Sequence, residues 1–105
     1  MKVYLIRGRS NVNAIGEYNP STNELIVLAG STLSSNIARS AKFRGTKSIE
    51  KWRTGVVDQN ILQKDIAFKS PSTAGNFVTG KSTNGLTAWK DETGRTIKEI
   101  QAEAK

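Results

Sequence analysis

Residues 70–94 read SPSTAGNFVTGKSTNGLTAWKDETG and hold the clearest local pattern in the chain. Ser70 is a good helix N-cap, and Pro71 suits the first helical position. Gly80 suits the C-terminal stop, because glycine adopts the left-handed conformation at little cost. These residues predict a helix over positions 71–79. Its apolar side chains recur at helical spacing on one face: Ala74, Phe77 and Val78.

The second half of this segment predicts two turns around a short strand. The dipeptide Asn84-Gly85 favours a tight turn, because both residue types tolerate positive φ. Residues 86–90 suit a strand anchored by Trp89. Residues 91–94 then form a second turn that ends in glycine.

The amino-terminal third predicts an antiparallel meander. Residues 3–6 and 12–18 are strand-like with a basic turn between them, and residues 24–29 form a third strand after a run of turn formers. Gly16, inside the second strand, is typical of a bulge or of a close backbone approach. The third strand is apolar almost throughout, which predicts a central strand covered on both faces.

The middle of the chain is less regular. Residues 30–45 are serine-rich and basic, and we expect a mainly irregular excursion there, packed by Leu33, Ile37 and Phe43. A helix over residues 46–58 follows. Gly55 lies inside it at a cost of about 1 kcal/mol relative to alanine, which points to close packing. The buried stripe of this helix consists of Ile49, Trp52 and Val56.

The last elements complete an α+β pattern. Residues 65–69 predict a short strand, and Thr96 with Glu99 has the spacing of a capping box at the start of a final helix. The order of elements shows no regular strand-helix alternation, which indicates the α+β class. We expect one domain over residues 1–105. In it, the antiparallel three-stranded meander is extended by one or two further short strands and packed against two to three helices.

The composition restricts the available chemistry. The sequence has no Cys and no His, which excludes disulfides, thiolate metal sites and a Ser-His-Asp site. None of the nine acidic residues forms a pair with the spacing of a known carboxylate motif, and neither a P-loop nor GxGxxG is present. We therefore predict no enzymatic activity, no metal and no cofactor. The amino terminus has too few apolar residues for a signal peptide or a membrane span, so we expect a cytoplasmic protein.

The charge of the chain points to a polyanion. The formal net charge is +7, which favours nucleic acid as partner ahead of an anionic membrane. A run of six cations is opposed only by Glu50, and the small hydroxyl and amide side chains beside it suit phosphate contacts. The alternative is an ordinary solvated surface. The candidate nucleic-acid-binding residues are Arg39, Lys42, Arg44, Lys47, Lys51 and Arg53.

A second candidate site surrounds one of the two tryptophans. Trp52 lies on the apolar stripe of its helix and is expected in the core. Trp89 either fills the core or stands beside a pocket. The alternative for the polar residues near it is ordinary cap and turn chemistry. The candidate pocket residues are Ser70, Ser72, Asn84, Trp89 and Lys90.

The segment SPSTAGNFVTGKSTNGLTAWKDETGRTIKEI resembles the signature of the domain of unknown function 4357 family. This uncharacterised small domain is found mostly at the carboxy termini of GIY-YIG nucleases and of restriction-modification-associated proteins. Its pattern runs S-P-S-x-A-A, then G, N-G-W-x-x-W-K-D, G and a final apolar helix. Upstream, NAIGEY, LIVLAGS and IEKWRTGVVDQNIL resemble further family segments in the same order. Two positions depart from the pattern: Gly75 replaces the second Ala, and Leu86 replaces the first Trp.

The resemblance implies a function by association. It extends distantly to the restriction-and-adenine-methylation-associated (RAMA) domain, which is predicted to recognise DNA or its modification. It thus implies a non-catalytic DNA-binding accessory module, linked to restriction-modification or mobile elements, whose basic segment grips phosphates and whose pocket reads a base or a modification. The alternative is a protein-interaction or structural domain that docks a nuclease or methyltransferase partner.

Overall fold

The predicted meander is present and gains a fourth strand. The computed structural model describes residues 1–35 and 46–103. Its strands are β1 (Lys2–Arg7), β2 (Val12–Tyr18), β3 (Leu25–Val27), β4 (Val57–Asp58), β5 (Ile61–Leu62) and β6 (Ile66–Phe68). Four of them form an antiparallel sheet in the order β1-β2-β3-β6, and β4 pairs with β5.

The two faces of the four-stranded sheet differ. Alternate residues, among them Leu5 and Val27, are fully buried on the core face. On the opposite face Tyr4 pairs across the strands with Ile15, and Ile26 is 37% exposed. The prediction that the third strand is covered on both faces is therefore wrong. A three-residue apolar run fits an open face and a covered face equally well, and the exposure of Ile26 shows that the face is open.

Helix α1 (Thr46–Arg53) ends at Arg53 rather than at Asp58. Gly55 has φ 78°, a conformation that side-chain-bearing residues rarely adopt, so it ends the helical path. A Cβ at Gly55 would meet no atom within 4 Å, so this glycine does not serve close packing. The chain continues as the β4-β5 hairpin, whose two turn residues, Gln59 and Asn60, have φ 51° and 67° as a type I′ turn requires.

Helix α2 (Pro71–Thr79) has the predicted bounds. Its N-cap is Ser70, whose Oγ accepts a hydrogen bond from the Thr73 N–H at 3.2 Å. Gly80 ends the helix with φ 73°. The local capping chemistry thus decides both ends of this helix.

The turn and strand predicted after α2 are wrong. Asn84 has an extended conformation and N-caps the single-turn helix α3 (Gly85–Ala88), where its Oδ1 accepts from the Leu86 N–H at 3.1 Å. Asparagine is a strong residue for tight turns and for N-caps alike, so the dipeptide alone does not distinguish them. Trp89 follows as the C-cap of this turn.

The carboxy-terminal part follows the prediction. Gly94 ends the predicted turn with φ 90°. Helix α4 (Ile97–Glu103) begins with a reciprocal capping box, in which the Glu99 N–H donates to Thr96 Oγ1 at 3.2 Å and the Thr96 N–H donates to Glu99 Oε1 at 3.4 Å.

Trp89 lies at the centre of the core and is fully buried. A Cβ at Gly16 would lie 3.3 Å from its ring and 2.7 Å from Leu25 Cδ2. The β1-β2 register runs unbroken through Gly16, so this glycine serves a close approach rather than a bulge. Leu33 is buried as predicted, whereas Ile37 and Phe43 lie outside the described residues.

The α+β class and the extended antiparallel meander are confirmed. The described residues form four α-helices rather than two to three, because the single-turn α3 replaces a predicted strand. None of the helices in these parts of the chain is long and apolar enough to cross a membrane.

Candidate nucleic-acid interface

The predicted nucleic-acid-binding residues have different positions in the structure. Arg39, Lys42 and Arg44 lie outside the described residues, and Lys47 belongs to α1. Lys51, also on α1, is exposed and forms no ion pair within the described part of the chain. Arg53, the last residue of α1, is directed toward main-chain carbonyl groups instead of solvent.

Arg53 binds main-chain oxygens from two other segments. Its Nη1 donates to the Ser34 carbonyl at 2.8 Å. Its Nε and Nη2 donate to the Phe77 carbonyl, near the end of α2, at 3.1 and 2.7 Å. The Ser34 N–H donates to the Val78 carbonyl at 2.9 Å. These contacts, which we call the Arg53 clamp, tie the end of α1 and the end of α2 to residue 34.

The electrostatics of the clamp are those of a partly buried cation. Burial lowers the pKa of Arg53 to about 10, so the guanidinium stays protonated at neutral pH. The carbonyl groups at the end of α2 carry the partial negative charge of a helix C-terminus, which stabilises the guanidinium. Its Cζ also lies 5.8 Å from the centroid of the Phe77 ring. Phosphate binding by Arg53 stays a prediction that this geometry does not favour.

Four candidate pocket residues come together at the amino-terminal ends of α2 and α3. Ser70 and Asn84 are N-caps, as described above. Ser72 Oγ accepts from the Gly85 N–H at 3.1 Å, and Trp89 Nε1 donates to the Pro71 carbonyl at 3.0 Å. The contacts among Pro71, Ser72, Gly85 and Trp89 are called the α2-α3 clasp below. The polar atoms of the clasp form hydrogen bonds with one another.

The α2-α3 clasp is tightly packed. A Cβ at Gly85 would lie 2.1 Å from the Pro71 carbonyl carbon and 2.2 Å from its oxygen, so only glycine fits there. The Trp89 ring is fully buried, and Leu86 is partly buried and packs against the core. The space that a ligand would need between the two helix starts is thus filled by the protein itself.

Lys90 does not join the other four candidate pocket residues. Its N–H donates to the Tyr4 carbonyl at 2.9 Å, and its carbonyl accepts from the Tyr4 N–H at 2.7 Å, so it extends the sheet beyond β1. Its side chain is exposed and lines a cleft of about 560 Å³ together with Tyr4, Ile6 and Arg7. Sequence reasoning did not anticipate this cleft. The sequence feature that could have indicated this cleft is the alternation of the apolar Tyr4 and Ile6 along the strand, next to Arg7.

The acidic residues are dispersed. All nine carboxylates of the sequence lie in the described ranges. Within those ranges no three acidic side chains are close enough to hold a metal ion. The absence of catalytic activity stays a prediction.

Comparison with known proteins gives a family. No curated protein and no solved structure matches the chain. The model of a family described as a domain of unknown function, DUF4357, matches residues 4–101. Because this match spans nearly the whole sequence, the chain belongs to the DUF4357 family.

Proposed function

We propose that this chain is a non-catalytic DNA-binding module that serves a restriction-modification or mobile-element system. The observation that carries the proposal is the concentration of charge before and along α1. Six of the sixteen basic residues, but one of the nine acidic ones, lie between positions 39 and 53. Such a stretch attracts the phosphates of nucleic acid. The link to restriction-modification rests on the sequence resemblance by association.

The Arg53 clamp supports this proposal because of the chain positions that its hydrogen bonds bring together. Ser34 precedes the stretch, and Arg53 is its last residue, so their hydrogen bond brings positions 34 and 53 together. Lys51 is exposed on the same helix. Lys81 is exposed just beyond Gly80, at the end of α2 that the clamp also contacts. Lys51 and Lys81 thus lie near the two helix ends that the clamp joins.

Double-stranded DNA of arbitrary sequence is the expected target. Phosphate contacts carry no sequence information, and they dominate binding when charge is the main attraction. We therefore expect affinity that falls steeply as the salt concentration rises.

A mobility-shift titration at several salt concentrations tests the proposal. Changing Arg39, Lys42 and Arg44 to Gln lowers the salt slope by up to about 3, since each phosphate contact contributes roughly 0.9. The matched control changes Lys64, Lys69 and Lys98 to Gln, an equal loss of charge outside the stretch, and leaves the slope nearly unchanged. Absence of binding at low salt, or an equal loss in both variants, contradicts the proposal. RNA of the same sequence binds more weakly if DNA is the target.

The open face of the sheet favours a second candidate, a protein-interaction domain. Ile6 and Ile26 are 65% and 37% exposed there, with Tyr4 and Ile15 partly exposed between them. Such a face suits an apolar protein surface rather than phosphates. The resemblance implies that the partner is a nuclease or a methyltransferase.

A pull-down at high salt tests this candidate. The wild-type chain retains a nuclease or methyltransferase, whereas a variant with Ile6→Thr and Ile26→Thr loses it. Binding that disappears at high salt, or recovery of nucleic acid alone, contradicts this candidate.

A further inference from the structure

A cleft outside the predicted sites lies at the outer edge of β1. One wall consists of Tyr4, Ile6 and Arg7, and the other is formed by Ala88, Lys90 and Glu92, which follow or end α3. Its volume of about 560 Å³ falls in the range of small-molecule sites. We call it the Lys90 cleft.

The two walls of the Lys90 cleft are fixed relative to each other. The paired hydrogen bonds between Tyr4 and Lys90 join them directly. Asp91 holds the turn of the second wall, because its Oδ1 accepts from Thr93 Oγ1 at 2.8 Å and its Oδ2 accepts from Arg95 Nε at 2.9 Å. A ligand would therefore meet a preformed site and would not have to order it.

Some charged side chains of the cleft have no ionic partner among the described residues. Arg7 and Lys90 are exposed cations, and neither forms an ion pair within the described residues. Asp91 is neutralised by Arg95. Glu92 is exposed and has no cationic partner in the same described ranges, so the cleft presents the free cation of Lys90 and the free carboxylate of Glu92, with Arg7 at its border.

Apolar surface lies beside Lys90. Lys90 is paired with Tyr4, so the two residues share a face of the sheet, and Ile6 lies on that same face two residues further along β1. The Ile6 side chain is 65% exposed, and Tyr4 is partly exposed. An aromatic ring beside an exposed aliphatic side chain forms a platform on which a planar group can stack.

We infer that the Lys90 cleft binds a nucleotide, with its base on Tyr4 and Ile6 and its phosphate at Lys90. Glu92 accepts hydrogen bonds and does not donate them when ionised, so it favours the exocyclic amino group of cytosine over the O4 carbonyl that thymine carries at the same position. The nucleotide is either free or part of a single strand. In the second case the inference rests on the proposed function, since an unpaired stretch of the bound DNA would supply the nucleotide.

Calorimetric titration of the full chain with deoxycytidine 5′-monophosphate tests the inference. We expect tighter binding than for deoxycytidine, inorganic phosphate or thymidine 5′-monophosphate. Lys90→Gln and Tyr4→Leu each weaken binding about tenfold, as loss of a charged hydrogen bond or a stacking contact does. Tyr4→Phe keeps the ring and retains most of the affinity. Glu92→Gln removes the preference over thymidine 5′-monophosphate.

The controls separate this inference from the proposed function. Lys64→Gln removes an exposed charge elsewhere and leaves nucleotide binding unchanged, and so does neutralisation of Arg39, Lys42 and Arg44. A single-stranded oligonucleotide that binds more tightly than the free nucleotide identifies the strand as the source, and the reverse order identifies the free nucleotide. No heat of binding at millimolar nucleotide, or equal weakening by Lys64→Gln and Lys90→Gln, overturns the inference. Loss of duplex binding with retained nucleotide binding overturns the proposed function alone.

Discussion

The α2-α3 clasp and the Lys90 cleft are adjacent in sequence but opposite in character. Trp89 closes the clasp from inside the core, and the next residue, Lys90, faces the cleft. In the clasp, the Ser72 hydroxyl and the Trp89 indole bond to other atoms of the protein. In the cleft, the side chains of Arg7 and Lys90 have no ionic partner among the described residues.

This difference shows that a clear sequence motif can reflect either folding or binding. Polar groups that satisfy each other stabilise the fold and leave nothing for a ligand. Polar groups that stay free near apolar surface can contribute to binding. The segment with the clearest sequence pattern is therefore mainly a folding unit, and its last residues form one wall of a candidate site.

The largest expected effect is on the clasp. Gly85→Ala places a Cβ against the Pro71 backbone, which cannot move without displacing the start of α2. We expect a loss of about 3 kcal/mol in the free energy of unfolding, measured by urea denaturation. Gly8→Ala is the matched control, because its Cβ would meet no atom within 4 Å. Equal stability of the two variants would show that the clasp is looser than its distances indicate.

The next largest effect on stability is expected for the Arg53 clamp, at the end of α1. Arg53→Met removes the hydrogen bonds that Arg53 donates to the Ser34 and Phe77 carbonyls and lowers the free energy of unfolding by about 2 kcal/mol. Lys51→Met, on the same helix, changes stability little, because Lys51 is exposed.

Salt titration of DNA binding by the same two variants sharpens this contrast. If Lys51 contacts a phosphate, Lys51→Met lowers the salt slope by about 1, whereas Arg53→Met leaves it unchanged. A slope lowered by Arg53→Met and not by Lys51→Met would reverse the assignment.

A smaller effect tests one hydrogen bond of the clasp. Ser72→Ala removes the acceptor of the Gly85 N–H and costs about 1 kcal/mol. Ser82→Ala changes an exposed serine nearby and should leave the denaturation midpoint in place. A loss of the same size in both variants would mean that the Ser72 bond contributes nothing specific.

The smallest effect concerns the wall of the cleft and depends on pH. Hydrogen bonds from the Thr93 hydroxyl, and then from Arg95, lower the pKa of Asp91 from 3.8 to about 2. Since the folded pKa lies below the unfolded one, the stabilisation is present above about pH 4 and is lost as the pH falls toward 2. Thermal denaturation should show a shallower loss of stability across that window for Asp91→Asn than for the wild type. Parallel curves would contradict this role of Asp91.

Local chemistry explains which parts of the fold were predictable. The helix caps depend only on atoms within a few residues of each helix end. The structure confirms the predicted caps at Ser70, Gly80 and Thr96. The requirement for glycine at position 85 comes from the Pro71 carbonyl, which lies far from it in sequence. The pattern around Asn84 therefore suggested a tight turn and a strand, whereas packing against α2 selects a helical turn.

The candidate sites show the same limit. The charge stretch is visible in the sequence, but the carbonyl oxygens that engage Arg53 come from Ser34 and Phe77, nineteen and twenty-four positions away. The Lys90 cleft depends on the pairing of Tyr4 with Lys90, across most of the chain. No spacing rule within one segment could have brought those side chains together.

The two tryptophans give this protein a pair of internal fluorescence reporters. Trp89 is sealed in the core, so its emission should change when the whole molecule unfolds. Trp52 is partly exposed on α1 and packs edge-on against Phe68 at 5.4 Å, next to Lys51 and Arg53 in the chain. A ligand at α1 should therefore alter the emission of Trp52 and spare that of Trp89. Single-tryptophan variants would thus distinguish binding at α1 from unfolding in one optical measurement.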